Sequence, residues 1–196
     1  MEIIHTPIEG LLIVKPRVFE DKRGFFFESY NRNKYVEAGI DLDFCQDNQS
    51  KSSYGVVRGL HYQLHPYSQS KLVSVVVGAV WDVAVDLRKE SPTFGKWYGV
   101  ELSATNKLQF LLPKGFAHGF SVLSETAIFS YKCDDYYNQL AERGIMYNDP
   151  FLNIDWKIID EFIGDGSHLF EWYFHFDIGI DFTIDKEEVN TICLDG

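Results

Sequence analysis

Lys71-Leu72-Val73-Ser74-Val75-Val76-Val77-Gly78-Ala79-Val80-Trp81-Asp82-Val83-Ala84-Val85-Asp86-Leu87 is the stretch that decides the fold. Leu72 to Val77 is almost continuously apolar. Gly78 interrupts it, and Trp81, Val83, Val85 and Leu87 then alternate with Asp82, Ala84 and Asp86. Side chains of a strand point to opposite faces in turn. This period of two therefore puts four large apolar side chains on one face and two carboxylates on the other. Two strands joined near Gly78 are expected.

Shorter runs of the same kind lie on both sides. Gly95 to Leu102, Leu108 to Pro113, Gly119 to Leu123 and Ala127 to Tyr131 read as strands, with Gly, Pro and Asn between them. Nearer the N-terminus, Gly10 to Val18 is a β-branched run that leads to the turn Glu20-Asp21-Lys22-Arg23-Gly24. The Phe-rich segment Gly24 to Tyr30 follows, and the two are expected to pair. Asn31 to Ala38 suits a short helix closed by Gly39. Many short strands with regular turns predict a sandwich or barrel. There is no βα alternation, internal repeat or low-complexity segment. From Ile158 onward the chain turns acidic and aromatic, with Phe170, Trp172, Tyr173, Phe174 and Phe176 close together.

A chain of 196 residues fits one domain, or one domain with a tail. With 45% hydrophobic and 16% aromatic residues it can build a core, which argues against disorder. A formal net charge of −11 argues against non-specific nucleic-acid binding, yet it permits an anionic small ligand wherever Arg and Lys cluster. Cys45, Cys133 and Cys193 are odd in number and lack CxxC spacing. They predict neither a disulfide framework nor a zinc site, and a reducing cytoplasm suits them. Met1 to His5 has no leader-like pattern, and no apolar run approaches a membrane span.

Unusual polar residues concentrate in four places: Arg58-Gly59-Leu60-His61-Tyr62-Gln63, Lys71, Pro113-Lys114-Gly115-Phe116-Ala117-His118-Gly119-Phe120, and Tyr131-Lys132-Cys133. Each alone has an ordinary structural use. Together with Arg23-Gly24-Phe25-Phe26-Phe27-Glu28, Gln46-Asp47-Asn48, the run from Asp82 to Ala104, and Gly144-Ile145-Met146-Tyr147-Asn148-Asp149-Pro150, they resemble the dTDP-4-dehydrorhamnose 3,5-epimerase family. The resemblance covers roughly residues 1 to 157.

The resemblance implies an all-β fold, a cupin-type jelly roll (double-stranded β-helix) with short peripheral helices, normally a homodimer. It implies epimerisation at C3 and C5 of a dTDP-linked 4-keto-6-deoxy sugar, with no cofactor and no metal. Such chemistry needs a base on one face of the sugar, an acid on the other, and a positive donor at the enolate oxygen. By resemblance His61 is the base and Tyr131 the acid. Lys71 and Arg58 suit the C4 oxygen or the diphosphate, and His118 is a further pocket residue. Arg23, Glu28, Gln46, Asp47 and Asn48 match substrate contacts, with Phe26 offering a ring to stack on a base. Parts of the N-terminal segment reach the neighbouring subunit's site in the family. Tyr136, Tyr137 and Glu142 are further carry-overs. The expected partner is a dTDP-linked keto sugar, not a nucleic acid or a membrane.

The chain departs from the family after Trp156. There the family carries a motif whose Asp pairs with the catalytic His and whose Lys touches substrate, and no such motif is found. Asp165 matches that Asp by position only, and Asp82 is an alternative partner for a pocket His. The expected organisation is an epimerase domain over residues 1–157 and a divergent segment over 158–196. Three rival readings stay open. A metal cupin would use His61, His65 and His118 but lacks the usual His-x-His pair. A non-catalytic sugar-nucleotide binder would lack the base or the acid, and both are present. A relative that acts at only one carbon, or isomerises a related keto sugar, would share most motifs.

Overall fold

The computed structural model describes residues 1–157, 181–184 and 192–195. Two antiparallel sheets stack face to face. One has the order β1 (Glu2–His5), β2 (Leu12–Lys15), β10 (Gln109–Leu112), β7 (Lys71–Val77), β12 (Thr126–Cys133), β5 (Gln46–Ser53). The other has the order β13 (Glu142–Gly144), β6 (Val57–Gln63), β11 (Phe116–Val122), β8 (Ala79–Asp86), β9 (Trp97–Ser103). Sequence neighbours β7 and β8 fall in different sheets. This is the jelly roll expected above. Beyond it, β14 (Asp181–Ile184) pairs antiparallel with β15 (Ile192–Asp195).

Three apolar layers hold the sheets. The inner layer, with Val73, Val75, Phe110, Phe120, Val122 and Phe129, fills the space between them. On the outside of the six-stranded sheet, Val14, Leu72 and Leu111 pack under Tyr35 and Ile40. Tyr35 belongs to α1 (Arg32–Glu37), the one helix among the described residues. Asn31 caps this helix through Lys34 N–H, and Gly39 follows it with φ +86°, as the sequence predicts. On the outside of the five-stranded sheet, Val83, Val85, Trp81 and Leu87 pack with Leu152, Ile154 and Trp156. These are the four apolar residues of the opening stretch, so the alternation holds. The opposite face of that strand is buried as well, and it carries Asp82 into the interior.

The N-terminal pairing differs from expectation. The run from Gly10 to Val18 is split in two. Leu12–Lys15 joins the large sheet between β1 and β10, while β3 (Val18–Asp21) pairs with β4 (Gly24–Phe27) as a separate ribbon. Pro16 explains the break, because it has no N–H to give a ladder. The ribbon leaves Phe19, Phe25 and Phe26 exposed.

Asp86 ends β8 in a dense polar knot. Its carboxylate accepts from Arg88 Nε and Nη2, Ser91 Oγ and Thr93 Oγ1 at 2.6–2.8 Å, and Arg88 also donates to Glu9 O at 3.0 Å. The knot ties the loop after β8 to the N-terminal strands. Burial raises the Asp86 pKa, but its hydrogen bonds to Arg88, Ser91 and Thr93 outweigh that and hold it well below the usual range. A lowered pKa adds stability above the unfolded-state value of about 3.9, and that stability is lost as pH falls through the folded value. Asp86→Asn should therefore cost about 3 kcal/mol near neutrality. The difference from wild type should shrink in acid, as read by thermal melts at pH 7 and pH 3.

Candidate active site

His61 on β6 and His118 on β11 are register partners in adjacent strands. The register slips between His118 and Phe120, a bulge that re-aims side chains. Two glycines allow it. A Cβ on Gly59, whose φ is +115°, would stand 2.6 Å from both Gly119 Cα and His118 O, and a Cβ on Gly119 would stand 2.6 Å from Arg58 O. On the facing sheet, Tyr131 of β12 lies between Val73 of β7 and Asn48 of β5, and Lys71 lies opposite Cys133. The two sheets thus send His61, His118, Lys71 and Tyr131 into one interior.

A cavity of about 270 Å³ opens there. His61, Lys71 and Tyr131 form part of its wall, with Gln46, Asn48, Tyr137 and Glu142 around them. A second chamber of about 120 Å³ adjoins it, walled by Ser50, Arg58, His118, Phe120 and Phe129. His61 and Tyr131 border both spaces. A polar chain runs along the larger cavity. Gln46 Nε2 donates to Asn48 Oδ1 at 3.0 Å, Tyr137 N–H donates to Gln46 Oε1 at 3.0 Å, and Tyr137 hydroxyl donates to Glu142 at 2.6 Å.

The charges are arranged for proton transfer. Burial, helped by the nearby Lys71 and His118, pushes the His61 pKa down to about 3, so the ring is a neutral acceptor at ordinary pH. Burial raises the Tyr131 pKa, which keeps the phenol protonated and able to donate. Lys71 is buried, and its Nζ lies 5.9 Å from the centre of the Tyr131 ring. Burial lowers its pKa, while Cys133, Asp82 and Glu142 act in the opposite direction. No hydrogen bond or ion pair engages the Lys71 ammonium among the described residues, so it is available to an incoming oxygen.

Asp82 does not back His61. Both of its carboxylate oxygens lie 2.9 Å from Nε2 of His118, and both residues are buried. Asp165 lies outside the described residues, as does the rest of 158–180. Arg58 borders the smaller chamber and is held by Ser52 Oγ at 2.8 Å. Asp47 is exposed, on the opposite face of β5 from Gln46 and Asn48, and pairs with Lys132 at 2.9 Å. Arg23, Phe26 and Glu28 are not brought to the cavity of their own chain. They sit on and beside the ribbon, Arg23 paired with Asp21 and Glu28 with Lys34. Tyr136 is exposed and does not border the cavity. His65 is exposed beyond the end of β6, and among the described residues no three His, Cys, Asp or Glu side chains are grouped to hold a metal.

Motif reading passed over several wall residues. Gln63 accepts Asn138 N–H at 2.6 Å, and Gln69 donates to Asp135 O at 2.7 Å; both line the larger cavity beside Tyr62. Gln63 and Tyr62 stand in the same motif as His61. Gln69 and Ser50 carry no local signal.

Proton transfer at a carbon beside a carbonyl asks for a base, an acid and a positive donor. All three kinds of group border one cavity of a jelly roll, and fold and site together define a cupin-type isomerase. The chain belongs to the dTDP-4-dehydrorhamnose 3,5-epimerase family, whose model matches residues 5–167. The enzyme of that name from Shigella flexneri is 55% identical over 166 residues, 84% of this chain and 92% of that protein. Among solved structures, dTDP-4-dehydrorhamnose 3,5-epimerase from Elizabethkingia anophelis is 60% identical with a TM-score of 0.77, covering 81% of this chain and 87% of the other. The Legionella pneumophila 3,5-epimerase, solved with dTDP-4-keto-L-rhamnose, is 56% identical with a TM-score of 0.78, covering 80% and 84%.

Proposed function

We propose that this chain epimerises C3 and C5 of dTDP-4-dehydro-6-deoxy-D-glucose to give dTDP-4-dehydro-L-rhamnose. The single observation that carries the proposal is the shared cavity: a neutral imidazole, a protonated phenol and a buried ammonium with no partner among the described residues all border it. His61 takes the proton from carbon, Lys71 steadies the oxygen of the resulting enolate, and Tyr131 returns a proton on the opposite face. Gln46, Asn48, Tyr137, Glu142 and Arg58 hold the remainder of the substrate. Asp165 is our candidate for the carboxylate behind His61. The family match extends through it, and Asp82 is already engaged by His118. The activity belongs to residues 1–157 together with this short extension. Free Cys45 and Cys133 suit work in the cytoplasm.

The test is the configuration of the product. NMR coupling constants of the sugar after incubation in ordinary water are expected to report inversion at both carbons. Inversion at one carbon would make the chain a single-site epimerase, and an unchanged substrate would leave a binding protein.

We further propose a homodimer in which the β3–β4 ribbon delivers Arg23, Phe26 and Glu28 to the partner's cavity. Their exposure, and that of the neighbouring Phe25, supports this. Arg23→Ala should raise KM at least tenfold with little change in kcat. At substrate well below KM, mixed dimers of Arg23→Ala and His61→Ala should exceed the activity of either parent, because one of their two sites is then intact. Mixtures no more active than Arg23→Ala alone would contradict a shared site.

A further inference from the structure

Asp82 and His118 form a carboxylate–imidazole pair in the wall of the smaller chamber. The carboxylate takes Nε2, and Nδ1 has no hydrogen-bond partner among the described residues. Binding one ring nitrogen in this way leaves the acid–base capacity of an imidazole to the other. The His61 ring stands edge-on to His118, 5.9 Å between centroids. Stacking against Phe129, also 5.9 Å between centroids, fixes the His118 ring further. His61, His118 and Tyr131 all border the same chamber of about 120 Å³. At about 30 Å³ of liquid volume per molecule, that is room for a few waters.

Double inversion by one base and one acid makes a demand that the roles above do not meet. After the first carbon reacts, His61 is an imidazolium and Tyr131 a phenolate. The second carbon cannot react until His61 has given up its proton and Tyr131 has regained one. We propose that the Asp82–His118 pair carries this proton and so resets the site between the two inversions. The inference rests on the epimerase reading, with His61 as base and Tyr131 as acid.

The proton balance is simple. The His61 N–H bond breaks as a chamber water takes the proton, and that water passes one of its own to Nδ1 of His118. Asp82 and His118 already share a proton along the Nε2 hydrogen bond, so the gain makes an imidazolium held by a carboxylate. A second transfer through chamber water moves the proton to the Tyr131 oxygen. His61 and Tyr131 end neutral, the pair returns to its starting state, and no proton is gained or lost. Burial disfavours a charged His118, so its imidazolium is brief, as a relay requires. Asp82 acts only through His118 and is a positioning residue.

The experiment is a single turnover in deuterated water, with enzyme in excess over dTDP-4-dehydro-6-deoxy-D-glucose, rapid quenching, and deuterium read at C3 and C5 separately. Tyr131 enters loaded with deuterium, so the first carbon needs no reset. For Asp82→Asn, the first carbon is expected to take deuterium within about twofold of the wild-type rate, and the second at least tenfold more slowly. Equal slowing at both carbons would make the pair a wall of the pocket and overturn the relay, as would wild-type timing at both. If Asp82→Asn does not fold, His118→Phe keeps a ring against Phe129 and must show the same split. Wild-type enzyme that labels one carbon only has no second step to reset, which overturns the relay but not the epimerase reading. Wild-type enzyme that labels neither overturns both.

Discussion

Replacing His61 with alanine is expected to lower kcat about a thousandfold, within the range that a positioned general base contributes. The ring is half-buried, borders both chambers, and is kept neutral by burial and by its cationic neighbours. Alanine leaves carbon-bound protons with no acceptor at that position, while Lys71 and the polar chain from Asn48 to Glu142 remain in place around the cavity. KM should therefore move much less than kcat, which steady-state kinetics on the purified variant will read. The pH profile carries a second expectation. A folded-state pKa of about 3 means that His61 stays deprotonated well below the usual histidine value near 6.5. Protonation of His61 should not reduce kcat/KM between pH 8 and pH 5. An acid limb near pH 6.5 that disappears in His61→Ala would show that the ring titrates normally.

Gly59→Ala is expected to be among the most damaging single methyls in the barrel. Two costs coincide there. The backbone has φ +115°, and the added carbon would stand 2.6 Å from backbone atoms of β11 on the neighbouring strand. Backbone cannot move aside as a flexible side chain can, so β6 and β11 would have to separate where they present His61 and His118. A loss above about 4 kcal/mol is expected, a large part of the stability of an ordinary domain. Gly24→Ala is the control. Gly24 also has positive φ, at +127°, but nothing lies within 4 Å of its added carbon. Strain alone should cost about 1–3 kcal/mol there. Soluble yield and thermal melts of the two variants separate strain from collision.

The same physics decides what could be read from the sequence. β7 was legible as a nearly continuous apolar run, and β8 because its two faces differ sharply, the outward set of Trp81, Val83, Val85 and Leu87 needing an apolar cover. β5 was not legible. Its inward residues Gln46, Asn48 and Ser50 are polar and wall the two cavities, and Ser52 holds Arg58, so the alternation that marks a strand is absent there. Pro16 was read through as part of one run from Gly10 to Val18, and which half joined which sheet depended on partners far along the chain, such as Phe110 opposite Ile13. At the site, His61, Lys71, His118 and Tyr131 were named from ordered motifs and meet around adjoining cavities. Which histidine Asp82 serves was not visible, because 36 residues separate Asp82 from His118 and only the β8–β11 pairing joins them. The ribbon that carries Arg23 and Phe26 stands exposed, apart from the cavity of its own chain, a placement that residue alternation does not display.

Proton exchange at carbon, catalysed through His61, is the centre of the account. Its most direct test is proton NMR of dTDP-4-dehydro-6-deoxy-D-glucose in deuterated water with catalytic amounts of the wild-type chain. The C3 and C5 proton signals are predicted to disappear as deuterium enters both positions, and His61→Ala is predicted to leave both signals standing on that timescale. Retention of both signals with the wild-type chain, or their loss at an undiminished rate with His61→Ala, would contradict it.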